Sequence, residues 1–361
     1  MITKTSFTKE WILSIKGNER SDQSIIEKQI YALHLLEELN VEFNDFIFKG
    51  GTSLSLISEK FPRFSIDIDI LVHPKHKSYF TIENLNMIIE HSKFNRVEEN
   101  KRSPKHNIDK QHFEFYFDGI YGSDSYILLD VVYAETHYQD IVQKEINNYL
   151  IDVDDEKSLV AIPSVHDLLS DKLCAFAPNT IGKKLGDDRD VEVIKQMYDV
   201  SYLFDHYPLN PELHSIYKDI ALQEIKNREL NITYKDTALD TILTSLNILS
   251  EGKINNDQYL VLKDAIRSFT SYVRDYSFNV EKAKLCAVNT LYASLLILVE
   301  GNRNFVKIAN NQKEYLAEYK KFVSFKKTLR FIDSNVHDIF DNCLKVMSYL
   351  NLKVWACKEI K

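Results

Sequence analysis

The hydrophobic and polar positions of this chain change their period along its length, and each change predicts an element. Residues 21–39 place isoleucine and leucine at helical spacing, which predicts an amphipathic helix. Two largely apolar runs, Val41–Lys49 and Ser65–Val72, are typical of strands, and a pair of glycines follows the first of them. The residues Thr81–His91 again have a helical pattern.

Two further strands are predicted downstream. The segment His112–Phe117 alternates polar side chains with phenylalanine, and Tyr126–Tyr133 is an apolar run that carries one carboxylate. Beyond Pro163 the pattern is helical almost throughout. The sequence therefore predicts a mixed α/β fold, in which an N-terminal domain with a sheet is followed by a mainly α-helical C-terminal portion.

Breaks in this pattern suggest where the domains end. We expect a first domain over residues 1–160 and a pair of helices over residues 161–210. A helical C-terminal domain is expected over residues 211–361, because Pro208 and Pro211 interrupt the helical pattern just before it.

Composition narrows the class of protein. A formal charge of −8 at pH 7 argues against a surface coated with positive charge for non-specific binding of nucleic acid. The four cysteines are far apart and form no CxxC pair, which is typical of reduced thiols. The N-terminus has no apolar signal core, and no apolar run is long enough to span a bilayer. We therefore expect a cytoplasmic protein that does not bind membranes.

The candidate chemistry is concentrated between Gly50 and Asp69. Successive side chains of a strand point to opposite faces, so Asp67 and Asp69 are predicted to share one face while isoleucines cover the other. Two adjacent carboxylates repel each other, and a bound Mg²⁺ ion would remove that cost. The glycine pair lets the backbone approach a bulky ligand, and a helix starting near Thr52 would direct N–H groups at an anion. The combination predicts a nucleotide site.

A third carboxylate is expected on a later strand. Asp130 lies in an otherwise apolar run, where a charge requires a partner. Glu114 is the alternative, and Asp130 is the favoured candidate. A salt bridge at the edge of a strand would also explain Asp130.

The predicted helices after Pro163 supply a basic candidate. Lys172 interrupts an apolar stripe at helical spacing, so we expect it to meet a triphosphate, to pair with an internal carboxylate or to reach the surface. Lys195 and Asp199 are four residues apart and share one edge of the next helix. They form either a simple salt bridge or a functional pair in which Asp199 orients Lys172 or the substrate hydroxyl.

Two runs of residues resemble a known family. Phe48-Lys49-Gly50-Gly51-Thr52-Ser53-Leu54 and the later Arg63-Phe64-Ser65-Ile66-Asp67-Ile68-Asp69 resemble the signature of the AbiEii/AbiGii toxin-like family. These proteins are nucleotidyltransferases of type IV toxin–antitoxin systems, within the DNA polymerase β superfamily. Asp171-Lys172-Leu173 also looks like a family motif. The run Lys195-Gln196-Met197-Tyr198-Asp199 resembles the next motif, with Gln196 in place of an acid.

The resemblance implies a nucleotidyltransferase-like N-terminal domain whose active site is completed by the helices of residues 161–210. It implies that Asp67, Asp69 and Asp130 bind Mg²⁺, with two ions possible, and that Lys172 and Asp199 join them as catalytic residues. Contacts to the NTP are expected from Lys49, Gly50, Gly51, Thr52, Ser53, Arg63, Ser65, Lys172 and Lys195.

By the same resemblance, the enzyme would transfer NMP to an RNA acceptor, at the 3′ end of tRNA, and cause growth arrest or abortive phage defence. A cognate antitoxin would be its partner. The alternatives are transfer to a hydroxyl of a protein or small molecule, and a nucleotide-binding regulatory protein that transfers nothing. A stripe of Lys313, Lys320, Lys327 and Arg330 would either guide RNA through its phosphates or form a solvated helix face.

Overall fold

A computed structural model of the protein describes most of the chain. The described residues are 1–16, 22–58, 60–101, 108–187, 189–208, 211–274, 276–300, 326–327, 329, 333–350 and 352. Three residues of the basic stripe, Lys313, Lys320 and Arg330, lie outside them, and so does Cys357. The chain groups into two compact units, of which the first comprises Met1–Ser164 and Ser271–Ser277. The second comprises Val165–Thr270 and the described residues from Phe278 onward.

The first unit is built on a mixed sheet. Its strands are β1 (Phe46–Lys49), β2 (Ile68–Val72), β3 (Arg96–Glu99), β4 (Asp109–Asp118) and β5 (Asp124–Tyr133), and a separate hairpin consists of β6 (Ile141–Glu145) and β7 (Leu159–Pro163). Among the described residues, five strands lie in the order β1-β2-β5-β4-β3. The β2–β5 pair is parallel and the other neighbours are antiparallel. The predicted mixed α/β class is thus confirmed.

The helices of the first unit are α1 (Lys9–Lys16), α2 (Gln23–Phe43), α3 (Gly50–Ile57) and α4 (Ile82–His91). The helices in the described part of the second unit are α5 (Val165–Ala175), α6 (Val191–His206), α7 (Leu213–Asn227), α8 (Tyr234–Leu249), α9 (Asn256–Phe269), α10 (Val280–Leu298) and α11 (Ser334–Tyr349). The described part of the chain after Pro163 is helical, as the pattern predicted. None of the described helices has both the length and the apolar character needed to cross a membrane.

The sheet has one apolar face and one polar face. Along β4, Phe113, Phe115 and Phe117 are fully buried, whereas the residues that alternate with them are half-exposed. Tyr31 of α2 stacks on Phe117 with ring centroids 3.7 Å apart, so α2 covers the apolar face. The polar residues of the strands therefore lie on the opposite face, because side chains alternate along a strand.

Two predicted strands begin later than their patterns suggested. The residues Val41 to Phe43 continue helix α2 instead of starting a strand. Val41 is exposed on the last turn of this helix, and the ring of Phe43 packs on that of Phe80. The second strand begins at Ile68 rather than Ser65. The residues just before Ser65 have a different partner, since the backbone N–H of Phe64 donates to Tyr272 at 2.9 Å.

Candidate active site

Four polar residues form a row across the polar face of the sheet. Lys49 of β1 is the register partner of Asp69 on β2, Asp69 is the partner of Asp130 on β5, and Asp130 is the partner of His112 on β4. Residues directly opposite each other on neighbouring strands share a face and lie about 5 Å apart. All four are half-buried. Two carboxylates are therefore side by side, with a basic residue at each end of the row.

The glycine pair leaves space at this row for the Asp69 carboxylate. Gly50 has φ +80°, and a Cβ at this position would lie 2.1 Å from Oδ2 of Asp69. A Cβ on Gly51 would lie 2.6 Å from Oγ of Ser65 and 2.7 Å from Nη2 of Arg63. A side chain at Gly50 would displace the Asp69 carboxylate at a backbone conformation that favours glycine, and one at Gly51 would displace the ends of Ser65 and Arg63. The first turn of α3 starts here, with N–H groups that have no partner within the helix.

Asp67 is held through its backbone. It is exposed and immediately precedes β2, and its carbonyl oxygen accepts a hydrogen bond from Oγ1 of Thr52 at 2.6 Å. Ser53 donates from Oγ to the carbonyl of Gly50 at 2.9 Å, and both hydroxyls belong to fully buried residues. Thr52 therefore ties α3 to the backbone just before β2, Ser53 holds the first turn of α3, and what the two residues can offer a phosphate is their backbone N–H.

The arginine of the predicted motif is buried beside the first turn of α3. Arg63 is 2% exposed, and its Nη1 donates to the carbonyl of Phe64 at 2.9 Å. The segment Ser271–Ser277, about two hundred residues later in the sequence, pairs with it through a bridge between Arg63 and Val273. This segment, which we call the strap, belongs to the first unit although the helices on either side of it belong to the second.

The strap contributes a buried arginine that the sequence pattern did not indicate. Arg274 is 1% exposed; it donates from Nε to the carbonyl of Phe61 at 2.9 Å and from Nη2 to Oε1 of Gln29 at 2.6 Å. Its guanidinium lies 3.7 Å from the ring centroid of Phe64. Arg274 thereby fixes the backbone around Arg63. No local pattern could have revealed it, because all of these partners are distant in sequence.

The two candidates for the third carboxylate have different neighbours. Asp130 lies next to Asp69 in the row, and one of its oxygens is 2.6 Å from Nδ1 of His112. Glu114 lies one strand further out, where it accepts hydrogen bonds from Asn100 at 2.7 Å and from the Tyr116 hydroxyl at 2.6 Å. The bond to Glu114 raises the pKa of the Tyr116 phenol to about 12.

The basic candidates of the second unit are paired with acids. Nζ of Lys172 on α5 lies 2.9 Å from Oδ2 of Asp199 on α6, and the two side chains are 5% and 0% exposed. Lys195 contacts Glu192 at 2.7 Å, one turn earlier on the same helix. The structure thus brings Lys172 and Asp199 together, as one of the sequence hypotheses anticipated.

The donor chemistry of the row fits a hard divalent cation. Within the described ranges, no group of three His, Cys, Asp or Glu side chains has the geometry to hold a metal ion. Magnesium, however, is often bound by only one or two carboxylates, with phosphates and water completing its shell. The adjacent Asp69 and Asp130, with the exposed Asp67 two residues before Asp69, supply such carboxylates next to the N-terminus of α3.

Among the comparisons with known proteins, the match to a family profile covers most of the chain. The profile described as "Nucleotidyl transferase AbiEii toxin, Type IV TA system" matches residues 34–280. No curated protein matches the chain. Among solved structures, the chain is similar to an antigenic nucleotidyltransferase-like protein from Paracoccidioides brasiliensis. The sequence identity is 15% and the TM-score is 0.36, and the match covers 58% of this chain and 95% of that one.

Proposed function

The chain belongs to the AbiEii family of nucleotidyltransferase toxins from type IV toxin–antitoxin systems, and from this premise we propose that it transfers NMP from an NTP to the 3′ end of an RNA, with tRNA as the acceptor. The transfer would release pyrophosphate. We further propose that the reaction depends on Mg²⁺, that it takes place in the cytoplasm, and that it arrests growth or aborts phage infection until a cognate antitoxin opposes it.

One observation carries the proposal for the site. The carboxylates of Asp69 and Asp130 are register neighbours on one face of the sheet, and Asp69 packs against the backbone of Gly50 where α3 begins. Like charges in adjacent positions repel each other unless a cation lies between them. A helix N-terminus favours an anion, because its N–H groups are unpaired and its dipole end is positive. A metal-bound triphosphate satisfies both requirements.

The proposed roles follow from this arrangement. Asp67, Asp69 and Asp130 would hold one or two Mg²⁺ ions, which would neutralise the triphosphate and lower the pKa of the attacking hydroxyl. Asp130 is proposed as the third carboxylate in preference to Glu114, because Glu114 lies one strand further from Asp69 and already accepts two hydrogen bonds. Lys49, at the end of the row, would add positive charge beside Asp69.

The remaining proposed contacts are to the phosphates of the nucleotide. They comprise the backbone of Gly50, Gly51, Thr52 and Ser53, the side chains of Arg63 and Ser65, and Lys172 and Lys195 of the second unit. The buried ammonium of Lys172 requires an anionic partner, and Asp199 supplies one at 2.9 Å. We propose that Asp199 orients Lys172 in the absence of nucleotide, and the proposed phosphate contact of Lys172 rests on the resemblance to the family motif.

A labelled-nucleotide experiment tests the proposal and separates its alternatives. Purified protein is incubated with each radiolabelled NTP, Mg²⁺, total RNA and total protein, and the products are resolved by size. We expect label in small RNA, and we expect treatment with EDTA to abolish it. The Asp69→Asn variant serves as the control for a contaminating transferase.

Each other outcome supports a different function. Label in protein or in a small molecule would show that the acceptor is a hydroxyl of that molecule and not of RNA. Nucleotide binding by calorimetry with no labelled product from any fraction would indicate a regulatory protein and contradict the transfer. Label that persists at the same level in the Asp69→Asn variant would show that the activity comes from a contaminating transferase or does not need the carboxylate row.

A further inference from the structure

The row of polar residues ends in a histidine to which neither the sequence motifs nor the proposed mechanism gives a role. His112 lies opposite Asp130 in the β4–β5 register, and its Nδ1 is 2.6 Å from Oδ1 of Asp130. An ionised carboxylate only accepts hydrogen bonds, so Nδ1 carries the proton and donates it. The contact thus occupies one lone pair of Asp130 and leaves the other oxygen for a second ligand.

The surroundings of this pair do not suggest a mainly structural role. The side chains of His112 and Asp130 are 17% and 26% exposed, on the polar face rather than in the apolar core. The pair therefore lies on the face that also carries Asp69, with each side chain in part open to solvent. Further along the same face of β4, Glu114 and Tyr116 bind each other, whereas His112 contacts Asp130. His112 is therefore directed at Asp130 specifically.

We propose that His112 is a positioning residue for the metal site: it fixes the carboxylate of Asp130 in the orientation in which its other oxygen meets the divalent cation beside Asp69. The inference rests on the proposed function, in which Asp130 is a ligand of that cation. A hydrogen bond to a ligating carboxylate restricts its rotation, and loss of such a partner typically weakens metal binding by about 10–100-fold. His112 itself contacts neither metal nor substrate in this scheme.

The test measures metal binding directly. Mn²⁺ is titrated into the purified full-length protein, and free Mn²⁺ is followed by electron paramagnetic resonance, for the wild type and three variants. His112→Phe keeps a ring of similar shape but removes the donor. His112→Asn keeps a donor close to the position of Nδ1. Tyr116→Phe is the matched control, because it removes a hydrogen bond to a carboxylate on the same face of the same strand.

The expected result is a pattern across the variants. His112→Phe should raise the Kd for Mn²⁺ by about 10-fold or more, His112→Asn should recover most of the affinity, and Tyr116→Phe should match the wild type. Equal weakening in the phenylalanine and asparagine variants, or none in either, would overturn the role of the donor. If His112→Phe does not fold, as judged by its thermal melt, His112→Ala takes its place in the same titration.

The Asp130→Asn variant separates the hypothesis that Asp130 binds the metal from the hypothesis that His112 positions Asp130. If it leaves Mn²⁺ affinity unchanged, the proposed metal role of Asp130 fails, and the role of His112 fails with it. If it weakens binding while His112→Phe does not, the metal site stands and only the positioning role is rejected.

Discussion

The charged residues of the two units are arranged in opposite ways. In the first unit, Asp69 and Asp130 place two like charges side by side on a half-exposed sheet face. In the second unit, Lys172 and Asp199 place opposite charges 2.9 Å apart, with almost no exposure of either side chain. The first arrangement brings two like charges together where a cation can bind between them, and the second is satisfied by its own two members.

The difference separates a group of carboxylates suited to binding a cation from an ion pair that is closed by an internal contact. Like charges that are close together near solvent are typical of functional sites, because a bound ligand of opposite charge offsets their repulsion. A buried ion pair, by contrast, contributes little net stability but becomes very costly when one partner is removed. Substitutions in the two places should therefore have opposite signatures: loss of function without unfolding in the row, and loss of stability in the pair.

The largest effect is expected at the buried pair. Lys172→Met leaves Asp199 without its cation in a site with no exposure, and breaking a buried pair in this way costs about 3–5 kcal/mol. The free energy of unfolding is measured with urea. The double variant Lys172→Met/Asp199→Leu is the matched control and should recover most of the lost stability, because no charge is then left buried.

The same double variant tests whether the pair has a second role. If Lys172 contacts the triphosphate, the refolded double variant should bind NTP more than tenfold more weakly, because a charge-assisted bond is worth about 1.5–3 kcal/mol. Unchanged NTP affinity by calorimetry would make the pair purely structural.

The next largest effect is expected in the row. Asp69→Asn removes one of the adjacent charges, so we expect NMP transfer to fall by at least about 100-fold, as when a key electrostatic contact to a transition state is removed. Stability should stay the same or rise slightly, because repulsion with Asp130 is relieved. Transfer assays over a range of Mg²⁺ concentrations and urea melts report the two quantities. A variant with near wild-type turnover would end the metal-site hypothesis.

An intermediate effect is expected at Gly50. Gly50→Ala forces a Cβ to within 2.1 Å of the Asp69 carboxylate at a φ of +80°, so both the backbone and Asp69 must move. We expect a stability cost of about 1–3 kcal/mol and loss of transfer. Gly122→Ala is the control, since its φ is +74° and nothing lies within 4 Å of the added Cβ. It should cost stability through φ alone and keep full transfer activity. Equal loss of transfer in both variants would contradict a role for the contact with Asp69.

The smallest effect is expected at Thr52. Thr52→Val keeps the shape of the side chain but removes the hydrogen bond to the carbonyl of Asp67, at a cost of about 1 kcal/mol. Because that bond fixes the backbone of Asp67, transfer should fall measurably at limiting Mg²⁺. Ser55→Ala is the comparison, since it removes a buried bond within the same helix. If both variants lost the same fraction of transfer activity, the bond to Asp67 would have no special role.

Local periodicity determined much of this protein. The alternation of aspartate and isoleucine around Asp67 and Asp69 placed the exposed and half-buried carboxylates opposite the buried Ile68 and Ile70. The glycine pair and the helix after it were evident from the sequence, and Lys172 was recognisable as a lysine within an apolar stripe. These patterns relate residues that are only two to four positions apart in the chain, so the sequence alone was sufficient to predict them.

Only the tertiary structure decided which distant residues meet. The register of β5 brings Asp130 beside Asp69 and brings His112 to Asp130. The strap brings Arg274 to the backbone around Arg63, although more than two hundred residues separate them. No short sequence pattern predicts these contacts. Each depends on the register between strands or on the return of the strap to the first unit, and packing of the whole hydrophobic core determines both. The sequence therefore supplied the chemical groups of the site, and long-range packing supplied their arrangement.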